Sequence, residues 1–174
     1  MEGILLQART LLAITPGRWE RLVHAAALEL LAREPAPGEW SALGCLRHLL
    51  DTETRVFPIR VGAILEGRDF PSFDQAAQGT PLGDQPDAAA MVERFATQRR
   101  ENLALLEPLQ AADLSRVGRH AALGPVTLGQ LLHQWVGHDL QHTVQAERAL
   151  MQPFIVGSGP WRGYFADHDV SPAV

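Results

Sequence analysis

The sequence has little of what marks secreted and membrane proteins. Its 174 residues contain one cysteine, Cys45, which cannot form an internal disulfide and is typical of a reducing cytoplasm. No apolar run approaches the roughly 18 residues that suggest a transmembrane helix. The N-terminal stretch lacks a basic segment followed by a small-residue cleavage site, so a signal peptide is not expected. We therefore expect a cytoplasmic protein that is not associated with a membrane.

A concentrated positive charge is also missing. The chain carries 15 Lys and Arg against 20 Asp and Glu, a net charge of −5, and both signs are mixed along it. Proteins that bind nucleic acids usually carry a basic patch or stripe. We therefore expect no nucleic-acid partner. The expected partners are a small-molecule ligand and a second copy of the chain, as a homodimer.

What the sequence does contain is a set of long helical signals. The length and the 46% hydrophobic content suit one domain, 1–174, with 155–174 as a C-terminal tail. The first helix is predicted over about 16–32, with Thr15 as N-cap. The second is predicted over about 41–66, and Pro58 inside it should kink or split the helix.

Two further helices and two links complete the pattern. The third helix is predicted over about 87–106, and the fourth begins at Thr127, which forms a capping box with Gln130. The polar segment 67–86 is long for a loop, so it is either a crossover or a functional flap. A short extended piece is possible near 116–126. We therefore predict an all-α fold, a four-helix bundle with a long crossover connection.

The fourth helix places two histidines where a packing seam should be apolar. His138 and His142 continue the 3-4 spacing of Leu131 and Trp135, so all four side chains should face the core. At positions i and i+4 the two imidazoles lie one helical turn apart and can bind one divalent metal ion. Two core histidines hydrogen-bonded to other helices are the alternative, but each would need its own buried partner.

A metal site needs a third protein ligand, and the second helix offers one. His48 lies in a strongly apolar stretch and completes a set of three, as in catalytic zinc sites that leave one position open. Cys45 is either a soft ligand or, more simply, a small buried thiol. His133 lies about 140° around the helix from His138 and should not join the site. The remaining histidines are interpreted as surface or cap residues, any of which could support the site: His24, His120 and His168.

Three segments of the chain resemble the DinB-like superfamily, which includes YfiT-type metal-dependent hydrolases and thiol-dependent S-transferases. They are PAPGEWSALGCLRHLLDTE before and within the second helix, RDFPSFD after it, and GPVTLGQLLHQWVGHDLQHTVQ entering the fourth. The resemblance implies a four-helix bundle of up-down-down-up character, often dimeric. It also implies a divalent metal ion, zinc or nickel, held by His48, His138 and His142, and a low-molecular-weight thiol as cofactor.

Two functions remain open at this stage. In the first, a metal ion held by three neutral imidazoles activates a thiol for transfer, or water for hydrolysis. Asp51, Asp139 and Gln145 are candidates to orient the site, although a solvent-facing position is the more common one for Asp139. Residues that act on a substrate are not assigned.

The second function is a non-catalytic, stress-related or dimeric binding bundle with a structural or vestigial metal. A fourth protein ligand, Cys45 or His133, would favour it. The aromatic residues of the tail, Trp161, Tyr164 and Phe165, could cover the bundle end or a second subunit, but ordinary packing of a terminal segment is preferred.

Overall fold

The computed structural model describes residues 2–73 and 87–170, with the side chain of Glu2 excepted. Six α-helices and three short strands form its regular structure, and two 3-10 helices, Ala111–Ser115 and Gly159–Phe165, accompany them. The helices are α1 (Glu2–Ala25), α2 (Leu28–Ala32), α3 (Ala42–Arg55), α4 (Phe57–Leu65), α5 (Ala88–Leu106) and α6 (Leu128–Gly157); the strands are β1 (Asp69–Phe70), β2 (Val117–His120) and β3 (Gly124–Thr127).

Four of these helices form the predicted bundle. Helix α1 packs against α5 and α6, and α3 packs against the same two helices. Buried side chains fill the space between them in two clusters, one around Phe57 and Trp135 and the other around Trp19 and Phe95. The all-α prediction is confirmed. In the described part of the chain, each helix is too short or too polar to cross a bilayer.

The prediction for the first helix was wrong at its N-terminus. Helix α1 begins at Glu2, so that Pro16 lies inside it and Thr15 is not its cap. Pro16 has no N–H to donate to the carbonyl oxygen of Leu12, one turn earlier. That oxygen instead accepts a hydrogen bond of 2.8 Å from Nη1 of Arg99 on α5. A tertiary contact therefore replaces the missing helical bond.

The first predicted helix is also broken after Ala25, since α2 begins separately at Leu28. The boundaries of the later helices follow their sequence signals. The side chain of Ser41 accepts from the backbone N–H of Gly44 and caps α3. The second predicted helix is split at Val56, and Pro58 lies in the first turn of α4. Helix α5 begins after Asp87, and α6 begins with the predicted capping box of Thr127 and its partner three residues later.

A small sheet covers one end of the bundle, and the sequence showed only part of it. Strands β2 and β3 form an antiparallel hairpin in the region where an extended piece was predicted. Strand β1 pairs with β2 in parallel, with Phe70 opposite His120, although its residues were interpreted as a loop. The rest of the long connection, 74–86, lies outside the described residues, so neither the crossover nor the flap interpretation is tested there.

The C-terminal segment lies along α6. Gln152 donates to the carbonyl oxygen of His168 and accepts from the backbone N–H of Val170, at 2.9 and 3.0 Å. Trp161 and Tyr164 are 64% and 86% exposed. Within one chain the segment is therefore held by polar contacts rather than by its largest aromatic side chains, and contact of these side chains with a second subunit stays a prediction.

Gly118 on β2 is a position where the fold leaves no room for a side chain. A Cβ atom there would lie 2.9 Å from Cγ1 of Ile64 and 3.1 Å from the carbonyl oxygen of Arg68. We expect Gly118→Ala to lower the free energy of unfolding by about 1–3 kcal/mol, as overpacking does. Urea denaturation measures the change.

The matched control is Gly137→Ala, at an exposed position of α6 where a Cβ would meet nothing within 4 Å. It should raise the free energy of unfolding by about 0.5–1 kcal/mol, because alanine restricts the unfolded chain and suits a helix better than glycine. Equal effects of the two substitutions would contradict the close packing of β2 against α4.

Candidate metal centre

Three histidines from two helices converge at one point of the bundle. His48 comes from α3, and His138 and His142 come from successive turns of α6. The Nε2 atoms of His48 and His138 lie 2.9 Å apart, and one nitrogen from each of the three rings lies within 4.8 Å of the others. Within the described ranges, no other group of three His, Cys, Asp or Glu side chains comes this close. The sequence selected these three residues.

Aromatic side chains surround the three rings. Trp40, just before the cap of α3, stacks on His142 with ring centroids 5.6 Å apart. Phe57 meets the ring of His138 edge-on at 5.3 Å, and Phe73 meets that of His48 at 5.7 Å. These contacts restrict the rotation of the imidazoles, so their nitrogens are held in place by packing.

Burial keeps the imidazoles neutral. It is the main cause that lowers the pKa of His48 from 6.5 to about 4 and that of His138 to about 3. Repulsion from the neighbouring imidazoles lowers both pKa values further. The pKa of His142 is also lowered by burial. At neutral pH all three rings therefore carry a lone pair that a metal ion can accept.

Two of the three residues expected to orient the site act on its histidines. Oε1 of Gln145 lies 2.9 Å from Nδ1 of His142, so Nδ1 carries the proton and donates it, which leaves the lone pair on Nε2. The negative charge of Asp51 raises the pKa of His48 and partly opposes the effect of burial. Gln145 therefore contacts the site directly, whereas Asp51 pairs with Arg55 at 3.4 Å, and its orienting role stays a prediction.

Asp139 has a different role from the two that were considered. It is neither solvent-facing nor bonded to an imidazole: it is 2% exposed, and its carboxylate binds Nη1 of Arg99 at 2.7 Å. Among the described residues, Nδ1 of His138 has no hydrogen-bond partner. Asp139 therefore belongs to a separate buried network behind the histidines.

This network is centred on Arg99 and was missed in the sequence. The guanidinium makes a two-pronged ion pair with Glu53 of α3, at 2.6 and 2.8 Å, in addition to its bonds to Asp139 and to the Leu12 carbonyl. Asn102 and Trp135 also donate to the carboxylate of Glu53. The network thus joins all four bundle helices. The only sequence signal was the presence of charged residues at core positions of helices.

The other candidate ligands lie elsewhere. His133, His24 and His168 are exposed, as expected. Cys45 is buried outside the three-histidine group, and burial raises the pKa of its thiol to about 12, so it stays protonated. His120 was wrongly interpreted as a surface or cap residue: it is 8% exposed and packs against Phe70.

The three histidines line an open cleft of about 270 Å³. Nitrogens bound to one zinc ion at about 2.0–2.1 Å in a tetrahedral arrangement lie roughly 3.3 Å apart. That separation lies between the 2.9 Å that separates the Nε2 atoms of His48 and His138 and the 4.8 Å within which all three donor atoms lie. The donor set is neutral, nitrogen-only and incomplete for a closed four-ligand site. These residues therefore fit a divalent metal ion with a position left for a ligand.

The sequence model of the DinB superfamily matches residues 11–146, which include all three histidines. The chain belongs to the DinB superfamily. Among solved structures, this DinB protein is similar to YfiT from Bacillus subtilis, with a TM-score of 0.75 and 19% sequence identity over 86% of this chain and 87% of that one. YfiT is described as a probable metal-dependent hydrolase with an unusual four-helix bundle topology.

The similarity to YfiT establishes the bundle fold of this DinB protein, because identity at this level carries fold rather than chemistry. A comparison with curated proteins gave no match. The chemistry of the DinB centre must therefore be argued from its own residues.

Proposed function

We propose that this DinB protein is a divalent-metal-dependent enzyme whose metal ion, zinc or nickel, is held by His48, His138 and His142. The observation that carries the proposal is the convergence of three neutral imidazoles in an open cleft. Their fit to a metal ion explains why α6 places two histidines on its core face. When bound, the metal ion would supply a positive charge that stabilises a thiolate or hydroxide at neutral pH.

Within this class we propose transfer of a low-molecular-weight thiol to an electrophile. Among the described residues, the cleft that contains the three histidines is lined by no Asp or Glu. Glu53 and Asp139 are both held by Arg99. Hydrolysis usually relies on a general base that takes a proton from water. A thiol needs less help, because its pKa is already close to neutral.

The reaction balances without a further cofactor. The thiol loses its proton to solvent, its sulfur forms a bond to an electrophilic carbon, and the leaving group departs with the bonding electron pair. The aromatic rings of Trp40, Phe57 and Phe73 exclude water from one side of the site and offer an apolar surface to the electrophile.

Hydrolysis is the second candidate. It is favoured by one observation, the similar fold of YfiT, which is described as a probable metal-dependent hydrolase. A non-catalytic bundle with a structural metal is less well supported. Structural zinc sites are usually closed by four protein ligands, and neither Cys45 nor His133 joins the group.

Elemental analysis of protein purified without an affinity tag or added metal tests the proposal. We expect close to one divalent metal ion per chain in the wild type and in His133→Ala, and loss of the metal in His138→Ala. The wild type should then convert a thiol and an alkyl halide into a thioether. Absence of metal even after reloading with zinc or nickel would refute the proposal, whereas ester hydrolysis without thioether formation would favour the second candidate.

A further inference from the structure

Beside the histidine cleft lies a second pocket that the proposed function does not use. This pocket, of about 460 Å³, lies between the β2–β3 hairpin and α6. Arg60 and Gln134 line both spaces, so the two are neighbours. The walls of the second pocket are mostly apolar and include Phe70, Leu123, Pro125, Val126 and Leu131. Any group that binds Arg60 therefore lies between an apolar pocket and the three histidines.

His120, on the wall of this pocket, has a defined proton position. Its Nδ1 atom accepts hydrogen bonds from the backbone N–H groups of Ala122 and Leu123, at 3.1 and 3.2 Å. An atom that accepts cannot carry a proton, so the proton of the neutral ring is on Nε2. Burial and the nearby positive charge of Arg60 lower the pKa of His120, which favours this neutral form. His120 therefore offers a donor from Nε2.

Arg60 also presents only hydrogen-bond donors to the region in front of Nε2 of His120. Its Nη2 atom lies 3.5 Å from Nε2 of His120, and a guanidinium has no acceptor atom. The two groups therefore face each other as donors, without a hydrogen bond between them. In the described part of the chain, no carboxylate lies within ion-pair distance of Arg60. Among the residues that the structure describes, the two donors therefore have no carboxylate partner.

Phe70 holds the two donors in this arrangement. The guanidinium carbon of Arg60 lies 5.7 Å from the centre of the Phe70 ring, and the His120 ring meets the same ring edge-on at 5.5 Å. Pairing of β1 with β2 fixes Phe70 opposite His120, and Phe70 is itself buried. The donors are therefore positioned by packing before a ligand arrives, which lowers the entropic cost of binding.

We propose that Arg60 and His120 form a subsite for the carboxylate of a small organic ligand. The carboxylate accepts from both donors, the apolar part of the ligand lies against Leu123 and Val126, and the reacting end extends along Gln134 to the three histidines. The last step rests on the proposed function, whereas the carboxylate subsite does not. A single arginine with apolar walls fits one carboxylate on a largely apolar molecule better than a phosphate.

Titration of the isotope-labelled full chain with hexanoate and with its neutral analogue hexanamide, followed by NMR, tests this subsite. We expect saturable shifts around Arg60 and His120 with hexanoate, and binding of hexanamide that is at least about tenfold weaker, because a hydrogen bond to a charged group is lost. Arg60→Met should weaken hexanoate about 10–100-fold and leave hexanamide unchanged. The hexanoate affinity of Arg60→Lys should lie between those of the wild type and Arg60→Met, because lysine keeps the positive charge but not the paired N–H groups of the guanidinium.

The control is Arg119→Met, which removes the same charge from an exposed position next to His120. It should bind hexanoate as the wild type does. Equal binding of hexanoate and hexanamide, unchanged hexanoate binding in Arg60→Met, or no saturable shift would each overturn the proposal.

Each titration is made with metal-loaded protein and again after chelation. If Arg60 binds the carboxylate, the affinity for hexanoate is the same before and after chelation. Loss of hexanoate binding after chelation would mean that the carboxylate binds the metal ion, and it would overturn the subsite. A chain that takes up no zinc or nickel even on reloading, but still binds hexanoate, would refute the metalloenzyme proposal and leave the carboxylate subsite intact. An ω-sulfanyl analogue of hexanoate shows which substrate carries the carboxylate. If the analogue binds more tightly than hexanoate only when metal is present, the thiol substrate carries it. If the analogue and hexanoate bind equally, the electrophile carries it.

Discussion

Replacement of Arg99 by methionine will lower the free energy of unfolding by about 3–5 kcal/mol, the cost of removing one partner from a buried ion network. Both carboxylates that Arg99 binds, Glu53 and Asp139, are nearly inaccessible to solvent. Without the guanidinium, two negative charges face each other inside the bundle. The attraction of these carboxylates raises the pKa of Arg99, although burial opposes its charge, so the arginine is fixed in the charged form.

The loss goes beyond charge, because Arg99 also binds the carbonyl oxygen of Leu12 that Pro16 leaves without a helical partner. Its guanidinium lies 5.0 Å from the ring centre of Phe95 and 5.7 Å from that of Trp135. Methionine has a similar volume and can keep part of these contacts. The predicted loss of stability therefore comes mainly from two carboxylates and one carbonyl that are left without partners.

Urea denaturation followed by circular dichroism measures the effect. The control is Arg100→Met, the next residue on α5, which is exposed and should change stability by no more than about 0.5 kcal/mol. Combining Arg99→Met with Glu53→Gln and Asp139→Asn should recover part of the loss, because no uncompensated charge remains. A loss below about 1 kcal/mol for Arg99→Met would contradict the network as described.

The second large effect concerns metal ions. Zinc at about 1,000 times its dissociation constant will raise the free energy of unfolding by about 4 kcal/mol, because it binds the folded chain only. His142→Ala will abolish this gain by removing one of three ligands. Thermal unfolding with and without zinc measures it, with the chelated protein as reference.

Two further variants on α6 should differ in how strongly zinc stabilises them. Gln145→Ala leaves all three ligands in place but removes the acceptor that directs the His142 ring, and it should weaken zinc binding about 10–100-fold. His133→Ala removes an exposed histidine and should leave the gain unchanged. If His142→Ala were stabilised by zinc as strongly as the wild type, the ion would be bound elsewhere.

The helices and the histidine cluster were accessible from the sequence because both depend on local spacing. The 3-4 pattern of Leu131, Trp135, His138 and His142 fixes which side of α6 faces the core, and caps such as Ser41 fix where helices begin. His48 could be added because an apolar helical stretch must also face the core. The core-facing side of each helix could be read from that helix alone, whereas the grouping of His48 with the other two histidines also used the need for a third ligand and the resemblance to the DinB-like superfamily.

The features that were missed depend on contacts between distant segments. Arg99, Glu53 and Asp139 are separated by about 40 residues or more, and a charge at a core position does not by itself identify its partners. The pairing of Phe70 with His120 joins the predicted extended piece to a two-residue strand that has no strand pattern of its own. The N-terminal half of α1 was missed because a proline usually marks the start of a helix. Here Pro16 lies inside the helix, because Arg99 of α5 donates to the carbonyl oxygen that the proline cannot bind.

The ion network joins the two helices that present the histidines. Arg99 holds α3 through Glu53, five residues after His48, and α6 through Asp139, which directly follows His138. The gap between the helices that present the imidazoles is thus set from α5, a helix that presents none. The distances between the three imidazoles are therefore set by the protein itself. In the proposed metal centre, substitutions on α5 should change which ion binds most tightly, although the three histidines stay the same, as the backbone of a rigid chelator sets its preference.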